Sequence, residues 1–146
     1  MKTALVTGAN RGLGFEISKQ LGSNGFHIVA ACRTLAKAKE TVSALAAQGV
    51  EASPLEMDVS QANSIQAAFK TLSAKHEQLD ALVNNAGVLL DFGTPASELS
   101  LDNLRESFET NFFGAFATIQ AFLPMLKKAP AARIVNMSSD LGSVAA

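Results

Sequence analysis

The residues best placed to do chemistry lie in one octapeptide, Thr7-Gly8-Ala9-Asn10-Arg11-Gly12-Leu13-Gly14. Gly8 allows a tight turn, and Gly12 lets backbone approach a diphosphate at the positive end of a helix. Gly14 permits that helix to pack close to a sheet. The glycine spacing, three residues and then one between successive glycines, departs from the G-x-G-x-x-G pattern of dinucleotide-binding turns. An ordinary loop can carry such a triad, so its weight comes from its flanks. The apolar run Ala4-Leu5-Val6 precedes it, and a helical stripe of Leu13, Ile17 and Leu21 follows.

The second signal is at Cys32-Arg33, which closes another apolar run, Phe26 to Cys32. A carboxylate about 20 positions after a glycine turn would chelate ribose hydroxyls and select NAD. No carboxylate stands here. Arg33, joined by Arg11 of the glycine turn, can instead form charge-assisted bonds to a 2′-phosphate, which favours NADP(H) over NAD(H). The competing reading is that each arginine is a solvated surface residue.

These positions need a frame. Short apolar runs alternate with helical patterns along the whole chain. Strands are expected at Ala4–Val6, Phe26–Cys32, Ala52–Met57, Leu79–Val83 and Arg133–Ser138. Helices are expected at Gly12–Ser23, Ala36–Gln48, Gln61 to about Lys75, and in one long stretch from about Leu101 to Lys127. Pro54 assigns the third strand to an edge, and Ser60 is a candidate cap for the third helix. Alternation of this kind predicts an α/β fold, a doubly wound parallel sheet of order 3-2-1-4-5 in a single domain over residues 1–146. Ligands in such sheets bind beyond the carboxyl ends of the strands.

Composition narrows the function. Of 146 residues 48% are apolar and 17% charged, with a net charge of −1, so a compact globule without a basic nucleic-acid footprint is expected. No apolar run is long enough for a membrane span, and the amino terminus does not read as a targeting signal. The lone Cys32 suits a reducing, cytoplasmic setting. His27, His76 and Cys32 lack metal-ligand spacing and read as structural, with no metal site expected. There is no tyrosine and no tryptophan.

The remaining strand ends carry amides and hydroxyls. Asn84-Asn85-Ala86-Gly87 can be a simple turn, or a segment whose small residues pass beside a nucleotide sugar. Asp58 can be a cap near Ser60. Asn111 sits mid-helix, a poor place for asparagine, beside a Phe108, Phe112 and Phe116 stripe that reads as core or subunit interface.

Taken together, Thr7–Gly14, Asn84-Asn85-Ala86-Gly87, Asn111 and Asn136-Met137-Ser138-Ser139 followed by Gly142 resemble four motifs of the short-chain dehydrogenase/reductase family, in order and on the expected elements. Asn10-Arg11-Gly12 and Thr110-Asn111-Phe112-Phe113-Gly114 resemble its carbonyl-reductase-like group. The resemblance implies a Rossmann-type fold and hydride transfer between a nicotinamide and a small carbonyl or alcohol substrate. It implies cofactor contacts from Gly8, Asn10, Arg11, Gly12, Leu13, Gly14 and Arg33. It adds Asp58 and Val59 at the adenine, and Asn85, Ala86 and Gly87 along the cofactor. Ser139 would hydrogen-bond the substrate carbonyl, and Asn111 would position a water in a proton relay. The family's Tyr-x-x-x-Lys segment and last strands are absent, so an incomplete copy with little activity is expected, from a protein that is a homo-oligomer when complete. The alternative is a non-catalytic NADP(H)-binding module.

Overall fold

The computed structural model describes residues 1–144. Five parallel strands, β1 (Lys2–Thr7), β2 (Phe26–Cys32), β3 (Ala52–Glu56), β4 (Ala81–Asn84) and β5 (Arg133–Asn136), form one sheet in the order β3-β2-β1-β4-β5. Helices α1 (Gly12–Ser23), α2 (Leu35–Ala46) and α3 (Ala62–Ser73) connect the first four strands. The expected Rossmann-type topology is therefore the one observed, and β3 with its Pro54 is an edge strand.

The central strands are apolar on both faces because helices cover both. On one face Leu5, Val29, Leu55 and Leu82 pack with Ile65 and Leu72 of α3 and with Phe122. Phe69 meets Phe122 edge-on, with ring centroids 5.8 Å apart, which locks α3 to the helix that precedes β5. On the other face Ala4, Val6, Ile28 and Ala30 pack against Ala38 and Leu45 of α2 and the inner side of α1.

The long helix is not uniform. It runs as α4 (Leu101–Phe108), a π-helical turn over Glu109–Phe113, and α5 (Gly114–Leu126). A π turn accommodates an extra residue and re-aims the side chains within it. Gly114 marks where the rod meets the sheet connection, since a Cβ there would lie 2.7 Å from the Val59 carbonyl oxygen. Two further expectations are corrected. Ser60 does not cap α3, whose N-cap is Gln61; its hydroxyl donates instead to Asp58 Oδ1 at 2.7 Å. Of core and subunit interface, the two places expected for the Phe108, Phe112 and Phe116 stripe, the core is excluded, because all three residues are exposed.

At the opposite end of the sheet from the glycine turn, His27 Nε2 lies 2.9 Å from Ser53 Oγ, and its ring centroid is 5.5 Å from that of His76. Burial, reinforced by His76 and opposed by Glu51, holds the His27 imidazole below its ordinary value. The folded chain thus binds this proton less readily than the unfolded chain. Stability present above about pH 6.5 is lost as pH falls through that value toward the folded pKa. The wild-type Tm should drop between about pH 7 and about pH 5.5 more steeply than that of His27→Gln. Parallel profiles for the two proteins would count against this role.

Candidate functional site

Beyond the carboxyl ends of the strands lies a crevice of about 440 Å³, with its glycine-turn wall at Gly8, Asn10, Arg11 and Gly12. Gly8 and Gly12 both have positive φ, +62° and +56°, which L side chains rarely adopt. Nothing crowds Gly12, so its requirement is conformational. Gly14 is needed for space: a Cβ there would collide with the Gly8 carbonyl oxygen and the Asn85 side-chain amide.

That amide is the centre of a hydrogen-bonded knot. Asn85 Nδ2 donates to the carbonyls of Thr7 and Gly8, both at 3.1 Å. In return Thr7 Oγ1 accepts from the backbone N–H groups of Asn85 (3.0 Å) and Ala86 (2.9 Å). The glycine turn and the segment leaving β4 are therefore one unit. Neighbouring Asn84 is buried and donates through Nδ2 to Asn136 Oδ1 at 2.8 Å, joining β4 to β5 at the last pair of their ladder. Its own Oδ1 has no partner among the described residues.

The α1 terminus facing this knot is open. Its N-cap, Arg11, makes no side-chain capping bond, and its first turn holds no acidic residue. α2 is capped by Thr34 and α4 by Ser100, while α3, opened by Gln61, is uncapped as α1 is. What sets α1 apart is the pair of positive-φ glycines before and at its first residue, Gly8 and Gly12, and its free first-turn N–H groups suit an anion.

The expected site residues sort as follows. Gly8, Asn10, Arg11, Gly12, Arg33, Asp58, Val59, Asn85, Ala86 and Gly87 all line the crevice. Leu13 and Gly14 do not line it: the Leu13 side chain is 66% exposed, and Gly14 is buried under the Asn85 amide. Asp58 also serves its turn, accepting through Oδ1 from the Ser60 N–H (3.0 Å) and hydroxyl. Asn111, inside the π turn, is exposed yet committed at both ends. Its Nδ2 donates to the Val88 carbonyl and its Oδ1 accepts from the Val88 N–H, each at 2.8 Å. It holds the crevice wall rather than lining it. Ser139 lies apart after β5, exposed, with its Oγ accepting from Leu141 N–H at 3.1 Å.

Sequence reasoning missed four wall residues that carry charge or hydroxyl groups: Lys37, Ser60, Glu106 and Thr110. Lys37 was legible as a cation in the first turn of the helix that follows Arg33, whereas Thr110 lies within the π turn. Cys32, buried beneath α2 with Sγ 3.7 Å from Thr41 Oγ1, is no competing nucleophile, because burial pushes its thiol pKa up.

The family model described as short chain dehydrogenase matches residues 2–146. Short-chain dehydrogenase/reductase 1 of Saponaria officinalis is 35% identical over 160 residues, covering 95% of this chain and 53% of that protein. The NADPH-bound carbonyl reductase from chicken fatty liver superposes with a TM-score of 0.88 at 31% identity, covering 99% of this chain and 62% of that one. A metagenomic short-chain oxidoreductase in complex with NADP gives a TM-score of 0.85 at 33% identity, covering 94% and 62%. The chain spans about half the length of the curated relatives it matches.

Thr7→Val removes the acceptor for the Ala86 N–H while preserving shape. It should cost about 1–3 kcal/mol, the penalty for a buried donor left unpaired. Urea unfolding measures this; an unchanged midpoint would show that the knot does not hold the two strand ends together.

Proposed function

Because the chain belongs to the short-chain dehydrogenase family, a family of oxidoreductases, we propose that it binds NADP(H) in this crevice for hydride exchange with a small carbonyl or alcohol substrate. The carrying observation is the charge at the far end of the β1 and β2 connections. Arg11, Arg33 and Lys37 all line the crevice from the β1 and β2 connections and α2, and no carboxylate follows β2 to bind a ribose diol. A 2′-phosphate would receive the guanidinium forks and the ammonium. The diphosphate would sit at the open α1 terminus, with the N–H groups of Leu13 and Gly14 beside it. Asp58 and Val59 would meet the adenine, and Asn85, Ala86 and Gly87 the sugars.

When bound, the nicotinamide supplies or accepts the hydride. Ser139 would orient the substrate carbonyl through Oγ once that hydroxyl leaves its local partners. Asn111 would act first by fixing Val88, and a relay water would be ordered next to it. The sequence holds no tyrosine, so the tyrosine acid implied by the family has no counterpart in these 146 residues. A proton donor missing from the site forfeits about 10²–10⁴ in rate. The second reading is a non-catalytic NADP(H)-binding module. We further propose a cytoplasmic setting, carbonyl-reductase-like chemistry in the whole protein, and self-association through the exposed phenylalanine face. Among the described residues, no helix is long and apolar enough to cross a membrane.

Calorimetric titration should give tighter binding of NADPH than of NADH. Arg33→Asp should weaken NADPH by about tenfold or more, as expected for losing a charge-assisted bond, and bring the two cofactors close to parity. Equal affinity in the wild type would refute the phosphate reading. The 146-residue chain should also show negligible carbonyl reduction with NADPH; efficient turnover would overturn the second reading.

A further inference from the structure

The turn between α1 and β2 reads Ser23-Asn24-Gly25-Phe26, and of the eight asparagines in the chain Asn24 alone precedes a glycine. Both residues of the pair are exposed, so water reaches them. Glycine has no Cβ, which leaves its backbone nitrogen uncrowded. That nitrogen, once a base in the solvent has taken its proton, can attack the asparagine side-chain carbon Cγ. A bond forms between Gly25 N and Asn24 Cγ, the Cγ–Nδ2 bond breaks, and ammonia leaves with a proton from water. Water then opens the five-membered imide at either of its carbonyls, giving aspartate or isoaspartate. The net change is one water taken up and one ammonia released, with nothing oxidised or reduced. Chemistry of this kind makes asparagine one of the heat-labile residues.

The folded turn opposes each part of this step. With ψ of Asn24 at 17°, the Gly25 nitrogen lies on the side of Asn24's own backbone nitrogen, turned away from its side chain. Gly25 N–H donates to the Gly22 carbonyl at 3.0 Å, and Asn24 Nδ2 donates to the Gln20 carbonyl at 2.8 Å. Attack therefore requires the end of α1 to open, so that both bonds break and ψ swings round. The product suits the turn less well than the reactant. A carboxylate cannot donate to the Gln20 carbonyl, and it puts negative charge at the end of a helix whose last turn holds no basic residue. Isoaspartate also adds a methylene to the backbone just before Gly25, whose φ of +89° closes the turn. We propose that Asn24 is a covalent modification site: it converts to aspartate or isoaspartate at a rate set by opening of the α1–β2 turn, and the product loosens the end of α1. This holds whether or not the crevice binds a nucleotide.

Peptide mapping by mass spectrometry tests the site and its gate on the 146-residue chain, held in mildly alkaline buffer with and without denaturing urea. In urea Asn24 should convert before any other asparagine, and Gly25→Ala should slow that conversion severalfold by crowding the attacking nitrogen. Without urea the same residue should convert about tenfold or more slowly, because only the open fraction of the turn reacts. Two variants test the consequence. Asn24→Ala removes the bond to Gln20 alone, whereas Asn24→Asp removes it and adds the charge. Asn24→Asp should therefore have the lower Tm at neutral pH, and the gap should narrow as acid neutralises the carboxylate. Conversion of another asparagine first in urea would overturn the site. Equal rates with and without urea would overturn the gate, and Asn24→Asp as stable as the wild type would overturn the loosening of α1.

Discussion

Thr7 and Asn85 tie two walls of the crevice, the glycine turn and the segment leaving β4, into one unit. The end of a central parallel strand is a difficult place to leave backbone groups, because the neighbouring strand has stopped pairing and water is only partly admitted. Here the Asn85 amide takes up the carbonyls of Thr7 and Gly8, and the Thr7 hydroxyl takes up the N–H groups of Asn85 and Ala86. The consequence is electrostatic as well as mechanical. Two carbonyl oxygens that would repel a phosphate are bound from beneath by an amide, which leaves the helix-start N–H groups as the dominant dipoles at the turn. Gly14 belongs to the same constraint, since any side chain there would occupy the place of the amide.

The treatment of helix starts reinforces this. A capping side chain is worth about 1 kcal/mol, and α2 and α4 each have one, Thr34 and Ser100. The helix that opens on the glycine turn has none, and neither does α3. An anion beside an uncapped first turn would satisfy N–H groups that no side chain reaches. The crevice wall carries charge of both signs: Arg11, Arg33 and Lys37 from the β1 and β2 connections and α2, Asp58 and Glu106 from the β3 connection and α4.

Most of this frame was legible because it rests on local chemistry. Apolar runs such as Ile28-Val29-Ala30-Ala31 have one physical outcome between helical segments, a strand covered on both faces. Pro54 marked its edge, and Gly8 and Gly12 marked backbone conformations that other residues disfavour. What escaped depends on long-range partners. Thr7 reads as one more β-branched strand residue until Asn85 arrives from 78 positions away. Ser60 has the composition of a cap, yet the nearer Asp58 carboxylate outcompetes the helix for it. The π turn has no composition of its own. It follows from Asn111 reaching Val88 and from the approach of Gly114 to Val59, and it turns Thr110 into the crevice.

The two halves of the expected chemistry stand on unequal foundations. Gly8 to Gly14, Arg33 and Asn85 to Gly87 follow the interior strands β1, β2 and β4, whereas Asp58 and Val59 follow the edge strand β3. Ser139 follows β5, which pairs with β4 alone and is exposed at each of its four residues. Its tie to the rest is the ladder to β4 and the Asn84–Asn136 amide contact, where Asn84 Oδ1 remains unmatched. A buried acceptor without a donor costs about 1–3 kcal/mol, and on an edge strand nothing stiff opposes the rearrangement that would relieve it. The glycine turn and the Asn85 segment are therefore anchored on interior strands, while Ser139 follows an exposed edge strand joined to the sheet through β4 alone.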